Sequence, residues 1–159
     1  DPLDGSLNFF RGIPFFASSI ALWEEGKPLL GGVYDYTHKE FYYGEVGGNA
    51  TLNGKLIQVG QAKLGTGIKA TGVPSFSSVQ ESLKMFEKSL SDYKKLRWLG
   101  CASLSLAYVA SGKMDAYEEL GIKIWDVAGG MALVLAAGGQ IETHFNPDGS
   151  LNLLALNRI

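Results

Sequence analysis

The sequence predicts a layered α/β chain, with an antiparallel sheet in its first half set against helices packed on a mainly parallel sheet in its second. Three observations carry this expectation. Residues 13–59 hold short β-forming runs separated by turn residues, as hairpins require. Beyond residue 72 the apolar residues take up helical spacing. From there strand-like and helix-like segments alternate to the end of the chain. With 159 residues, 46% of them hydrophobic and 19% charged, the chain can bury a substantial core, and its length suits one domain. Two parts are expected within that domain, residues 1–72 and residues 73–159.

The elements follow in order. Residues 13–23 are apolar and rich in β-formers, Glu24-Glu25-Gly26-Lys27 is a turn, and residues 29–34 return as a partner strand. Thr37-His38-Lys39 marks the next turn, ahead of a strand over 40–43; a lone His among turn residues is a solvated side chain and is given no role. Asn53-Gly54, between 50–52 and 55–57, predicts a hairpin, because a type I′ turn needs positive φ at both central positions. A Gly- and Thr-rich connection then runs through Gly72. Val79, Leu83, Phe86, Leu90 and Tyr93 recur every three or four residues, which lays one apolar stripe along a helix, with Ser78 and Glu81 as its capping box.

Residues 96–99 read as a short strand that passes through Gly100-Cys101-Ala102-Ser103 into a helix ending near Gly112. That order aims a helix N-terminus at whatever lies above the strand, although ordinary αβ packing produces the same order. A strand over 114–119 leads to Ile124-Trp125-Asp126-Val127-Ala128-Gly129-Gly130 and a helix over 131–137. That helix is small or apolar on every side, so it is predicted to be buried. Residues 140–143, the turn Asn146-Pro147-Asp148-Gly149 and residues 151–156 complete the chain as strand, turn and strand.

Composition narrows the function. A net charge of -2 and a pI near 5.7 give no general attraction to nucleic acid or anionic membrane, so any phosphate recognition must be local. The single cysteine, Cys101, excludes an internal disulfide and suits a reducing cytoplasm. No apolar run approaches the roughly 18 residues of a membrane span, and no signal peptide is visible. The chain begins with Asp, so its natural N-terminus is expected to lie upstream.

Chemistry concentrates in Asp1-Pro2-Leu3-Asp4-Gly5-Ser6-Leu7-Asn8-Phe9. Two carboxylates three positions apart, with Pro between and Gly after, can turn both side chains and one backbone carbonyl toward a single point, an oxygen-rich site for a hard cation such as Mg²⁺. Gly5-Ser6 adds N–H groups and a hydroxyl where a phosphate would need donors. Taken alone, the same residues make a plain turn. Asp126 taken alone is a helix N-cap.

Together the first nine residues and Ile124-Trp125-Asp126-Val127-Ala128-Gly129-Gly130 resemble the two signatures of the inositol monophosphatase family of Mg²⁺-dependent, lithium-sensitive phosphatases. Gly47-Gly48-Asn49-Ala50-Thr51-Leu52-Asn53-Gly54 is similar to that family's Gly-x-Gly-Ala-x-x-Asn-Gly, with Asn49 in place of a glycine as a residue tolerant of the left-handed conformation. Arg97-Trp98-Leu99-Gly100-Cys101-Ala102 resembles its substrate turn, and Asp115-Ala116-Tyr117-Glu118-Glu119 its approach to the second signature. The resemblance covers essentially the whole chain in the right order.

It implies an α-β-α-β-α sandwich, here without the N-terminal helices, and one truncated catalytic domain with a metal motif in each part. By resemblance Asp1, the Leu3 carbonyl, Asp4 and Asp126 hold Mg²⁺, with Asp4 and Asp126 shared by a second ion. Gly5 and Ser6 donate to the phosphate, and Ser6, in place of the usual Thr, keeps the hydroxyl that orients the attacking water. Asp1, Asp4, Ser6 and Asp126 are thus the expected catalytic set. Leu3, Asp4, Gly5, Ser6, Gly100, Cys101, Ala102, Glu119 and Asp126 are expected to line the substrate, Glu119 accepting from its hydroxyls. The implied activity is hydrolysis of a phosphomonoester by metal-activated water, without a covalent enzyme intermediate.

The family pattern also has a Gly-Glu-Glu stretch with a further metal ligand, an Asp that helps position the water, and a C-terminal helix, and residues 1–159 are expected to contain none of them. The full-length protein is expected to be a cytoplasmic homodimer acting on a small phosphorylated polyol or sugar, with no nucleic acid or membrane as partner. Asn8-Phe9 fits the inositol monophosphatase branch better than relatives that cleave phosphoadenosine phosphate, where a Lys-Glu pair is usual; inositol monophosphate is the expected substrate, and fructose 1,6-bisphosphate, which the pair does not separate from it, is the alternative. Lys123, between Glu119 and Asp126, is a possible specificity residue for a second phosphate, or else a surface lysine. A reading of another class is a protein-binding partner in bacterial RNA processing or transcription; the chain lacks the basic patch of a direct RNA binder.

Overall fold

The computed structural model describes residues 1–62, 65–72 and 79–157. Its strands are β1 (Ala17–Glu24), β2 (Lys27–Asp35), β3 (Glu40–Glu45), β4 (Ala50–Leu52), β5 (Lys55–Ile57), β6 (Ile68–Thr71), β7 (Lys95–Arg97), β8 (Ala116–Lys123), β9 (Gln140–Phe145) and β10 (Ser150–Leu156). Its helices are α1 (Ser6–Phe10), α2 (Val79–Asp92), α3 (Ala102–Ala110) and α4 (Ile124–Ala136).

β1 to β5 form an antiparallel meander in sequence order, as the turn chemistry predicts. Asn53 and Gly54 take φ of 48° and 79°, the pair of positive angles that a type I′ turn demands. The β2–β3 turn is tied by Asp35, whose buried carboxylate accepts from the Thr37 and His38 N–H groups and pairs with His38 Nδ1 at 2.7 Å. His38 therefore locks a turn. Asn49 departs from expectation: the left-handed residue of its loop is Gly47, at φ 84°, and Asn49 is not left-handed.

The second sheet runs β7-β6-β8-β10-β9. It is mixed, not mainly parallel: β6 pairs in parallel with β7 and β8, whereas β10 pairs antiparallel with β8 and β9. The parallel half follows from helical crossovers between β6, β7 and β8, and the antiparallel half from the tight turn at Asn146-Pro147-Asp148-Gly149. β6, which falls in the stretch read as a connection, is an interior strand of this sheet. Four residues between glycines are too short a run for period or length to reveal.

Helices α3 and α4 lie between the two sheets, and α2 covers the far side of the second. These are four of the five layers of the expected sandwich. α4 is buried along most of its length, as its composition requires, but it starts at Ile124 and carries Gly129 and Gly130 within it. A Cβ at Gly130 would press into the Leu106 side chain, and one at Gly129 would sit 2.7 Å from the Ile20 carbonyl oxygen. Close approach to α3 and β1 thus keeps two poor helix formers inside a helix.

The α2 stripe does not bury as one face. Phe86 stacks on Trp98, with centroids 6.0 Å apart, and Tyr93 turns inward, while Val79, Leu83 and Leu90 are exposed. The anchor is a polar cluster instead: Lys69, buried in β6, donates to Ser89 Oγ at 2.6 Å, pairs with Glu118 and lies 5.4 Å from the Tyr93 ring centroid. Ser78 of the expected capping box lies outside the described residues.

Candidate functional site

The first four residues run alongside β1 and bond to it at both ends. Asp1 and Ser19 exchange two backbone bonds at 2.8 Å, and Asp4 and Ala17 exchange another pair. The Asp1 carboxylate is held locally, Oδ1 accepting from the Leu3 N–H at 2.8 Å. Gly5 then turns the chain into α1 with φ 75°, and a Cβ there would meet the Phe15 carbonyl oxygen at 2.9 Å and Cys101 Cβ at 3.1 Å. Only glycine meets both demands. Asn8 fastens the motif to the second half of the molecule, donating to the Leu99 and Phe15 carbonyls at 2.7 and 2.8 Å.

Asp4 Oδ2 lies at the start of α3, where it accepts from the Ser103 N–H and the Ser103 hydroxyl, each at 2.7 Å, and from the Cys101 thiol at 3.2 Å. Burial, followed by the Asp4 charge, pushes the Cys101 thiol far up, so it stays protonated and donates. Asp126 is the third residue of α4, and the N-cap is Lys123. Its capping role therefore does not arise.

Asp1, Asp4 and Asp126 each bring a carboxylate oxygen to within 4.8 Å of the other two. Three like charges at that separation repel unless a cation lies among them, and an all-oxygen donor set suits a hard divalent ion. The residues present fit the metal. Asp4 and Asp126 also line a cavity of about 390 Å³, together with Gly100, Cys101, Ala102, Glu119 and Lys123. Leu3, Gly5 and Ser6 are not among its lining residues; Ser6 is exposed at the first position of α1. The sequence reading missed Thr71, Gly72 and Tyr117, which also line the cavity, and Ser103, which anchors Asp4. Gly72 carries a weak signal in its Gly- and Thr-rich context; Ser103, one small residue in a buried helix, carries none.

Glu119 is packed against the Cα of Gly72, in space that any side chain there would fill, and it accepts from the Tyr117 hydroxyl. Burial and then the Asp4 charge raise its carboxyl to about 7, against the lowering effect of the Tyr117 bond. Burial, then Asp4 and Glu119, raise Asp126 to about 6. The native state thus binds these two protons more tightly than the unfolded chain, so metal-free stability falls as pH rises from about 4 through 7. Thermal melts in chelator are expected to show a higher Tm at pH 5 than at pH 8, and Mg²⁺ at pH 8 is expected to recover the loss. A metal-free Tm that rises from pH 5 to pH 8 contradicts this.

Fold and site together define a layered α/β protein with a three-carboxylate cluster able to hold a divalent metal, beside a cavity lined by both charged and apolar residues. The model of the inositol monophosphatase family matches residues 1–156, and the chain belongs to that family. It is 38% identical over 157 residues to an inositol-1-monophosphatase of Mesorhizobium japonicum, covering 97% of this chain and 58% of that protein. It is 41% identical over 147 residues to the Nus factor SuhB of Xylella fastidiosa, covering 89% and 52%. A Thermotoga maritima protein named fructose-1,6-bisphosphatase/inositol-1-monophosphatase is 37% identical over 142 residues, covering 89% and 54%. The crystal structure of the extragenic suppressor protein suhB from Bartonella henselae superposes with a TM-score of 0.89 at 35% identity, covering 99% of this chain and 63% of that one. The chain spans between about half and three fifths of the length of these curated relatives. No helix among the described residues is long and apolar enough to cross a membrane.

Proposed function

We propose that the full-length protein is a Mg²⁺-dependent phosphomonoesterase acting on inositol monophosphate, with fructose 1,6-bisphosphate as the alternative substrate. The observation that carries this reading is the Asp1, Asp4 and Asp126 cluster, two members of which line the same cavity as Glu119. When bound, Mg²⁺ supplies Lewis-acid activation of water and neutralises phosphate charge. Asp1, Asp4 and Asp126 would hold it, and by resemblance to the family the Leu3 carbonyl as well. Gly5 and Ser6, which follow Asp4 directly but do not line the cavity, would by resemblance to the family donate to the phosphate. Glu119 orients a substrate hydroxyl, and Gly100, Cys101 and Ala102 form the wall behind it. The cavity volume of about 390 Å³ lies within the size range of small-ligand sites.

Lys123 is the proposed specificity residue. It lines the cavity, and it also helps hold the Asp148 carboxyl below the ordinary range, behind the larger effect of the Ser150 hydroxyl. A cation so placed can meet a second phosphate on the substrate. The test is kcat/KM of the full-length protein for both substrates, with Mg²⁺ or chelator, with and without Li⁺. Turnover is expected with Mg²⁺ and not in chelator, and Li⁺ is expected to inhibit. Lys123→Ala is expected to lower efficiency for the bisphosphate about 5- to 30-fold, the equivalent of roughly 1 to 2 kcal/mol, and to leave inositol monophosphate nearly unchanged. Equal turnover in chelator sinks the enzyme reading, and parallel losses on both substrates remove Lys123 from specificity.

The 41% identity to a Nus factor supports a second reading, a protein-binding role in transcription or RNA processing. Pull-down of RNA polymerase or ribosomal components by a full-length protein lacking turnover is the result that favours it.

A further inference from the structure

We propose that Ser103 is a positioning residue that fixes the Asp4 carboxylate for metal binding. The inference rests on the reading of Asp4 as a metal ligand and extends it to a residue that never touches the metal.

Ser103 is fully buried in the first turn of α3, and both of its donors go to one atom. Its N–H and its hydroxyl each reach Asp4 Oδ2 at 2.7 Å, and the Cys101 thiol reaches the same oxygen at 3.2 Å. One oxygen is thus anchored to α3, and the same carboxylate brings an oxygen to within 4.8 Å of those of Asp1 and Asp126.

The hydroxyl is the part that depends on the side chain. Any non-proline residue at position 103 would offer the N–H, but that donor and the longer, weaker Cys101 thiol bond hold the carboxylate less firmly, because the terminal torsion of Asp is broad. Two donors from one residue, meeting the same oxygen from different directions, restrict that torsion. The backbone of Asp4 is already pinned by its two bonds to Ala17. With the torsion restricted as well, Asp4 presents its carboxylate to the cluster without a further ordering cost when a cation arrives. Groups that orient a metal ligand in this way typically change metal affinity about 10- to 100-fold when removed.

The experiment is calorimetric titration of Mg²⁺ into the metal-stripped full-length protein without substrate. Ser103→Ala, which keeps the N–H and loses the hydroxyl, is expected to weaken Mg²⁺ binding about 10-fold or more, and Ser103→Thr to bring it back to within about threefold of wild type. In the hydrolysis assay the Mg²⁺ concentration for half-maximal rate is expected to rise in parallel, with kcat at saturating Mg²⁺ little changed. A melt in chelator reports whether each variant folds. If Ser103→Ala does not fold, Ser103→Cys, which keeps a weaker donor, takes its place and is expected to show intermediate affinity. Wild-type Mg²⁺ affinity in a folded Ser103→Ala or Ser103→Cys protein overturns the proposal. No Mg²⁺ binding by the wild type overturns instead the metal reading beneath it.

Discussion

Asp126→Asn in the full-length protein is expected to abolish phosphate-ester hydrolysis, by about a thousand-fold or more, while leaving the fold intact. A thousand-fold corresponds to about 4 kcal/mol of transition-state stabilisation, within reach of one lost metal-ligand charge. Asn keeps the volume and a neutral oxygen but brings no charge to the cluster with Asp1 and Asp4. The substitution separates chemistry from structure, because Asp126 is the third residue of α4 and not its cap. Its carboxyl is raised to about 6 first by burial and then by the neighbouring carboxylates, so the ionised form carries a cost in the metal-free protein at neutral pH. The Asn variant is therefore expected to melt higher than wild type in chelator at pH 8 and to gain less from added Mg²⁺. Wild-type turnover would return Asp126 to a purely structural role.

Gly31→Ala is expected to destabilise the protein by about 3 kcal/mol, lowering Tm by roughly 10 °C in a domain of this size. Gly31 lies in β2 opposite Ala21, beneath α4. A Cβ there would stand 2.8 Å from the Gly129 carbonyl carbon and 2.9 Å from its Cα, with the carbonyl oxygen closer still. All three are backbone atoms, so no side chain can rotate away. α4 must lift from the sheet, and Val127, Met131, Leu133 and Val134, all buried on it, lose packing together. Because α4 also carries Asp126, Mg²⁺ affinity is expected to fall along with stability. A Tm within about 2 °C of wild type would mean that helix and sheet adapt at little cost, contrary to the contact described.

Features that depend on near neighbours in the chain were legible in the residues alone. Asn53-Gly54 specifies its hairpin because positive φ at both positions is a local requirement, and the structure has it. The apolar composition of residues 131–137 identifies a buried helix, although not where it begins. The two signature stretches identify the family over nearly the whole chain. The same stretches mark Asp1, Asp4 and Asp126 as candidates, and the structure brings these three together.

Other features rest on contacts between residues far apart in the chain, which leave no local pattern. Gly129 and Gly130 argue locally against a helix, and they stand in one because β1, β2 and α3 approach too closely for a Cβ. The four residues of β6 show no alternation, and they are a strand because β7 and β8 pair with them on either side. The stripe on α2 predicts one buried face, but buried Lys69, bonded to Ser89 and Glu118, sets a different one. Ser103 meets Asp4 across 99 positions of sequence, a bond made possible only when α3 is laid between two sheets and the N-terminal segment runs alongside β1.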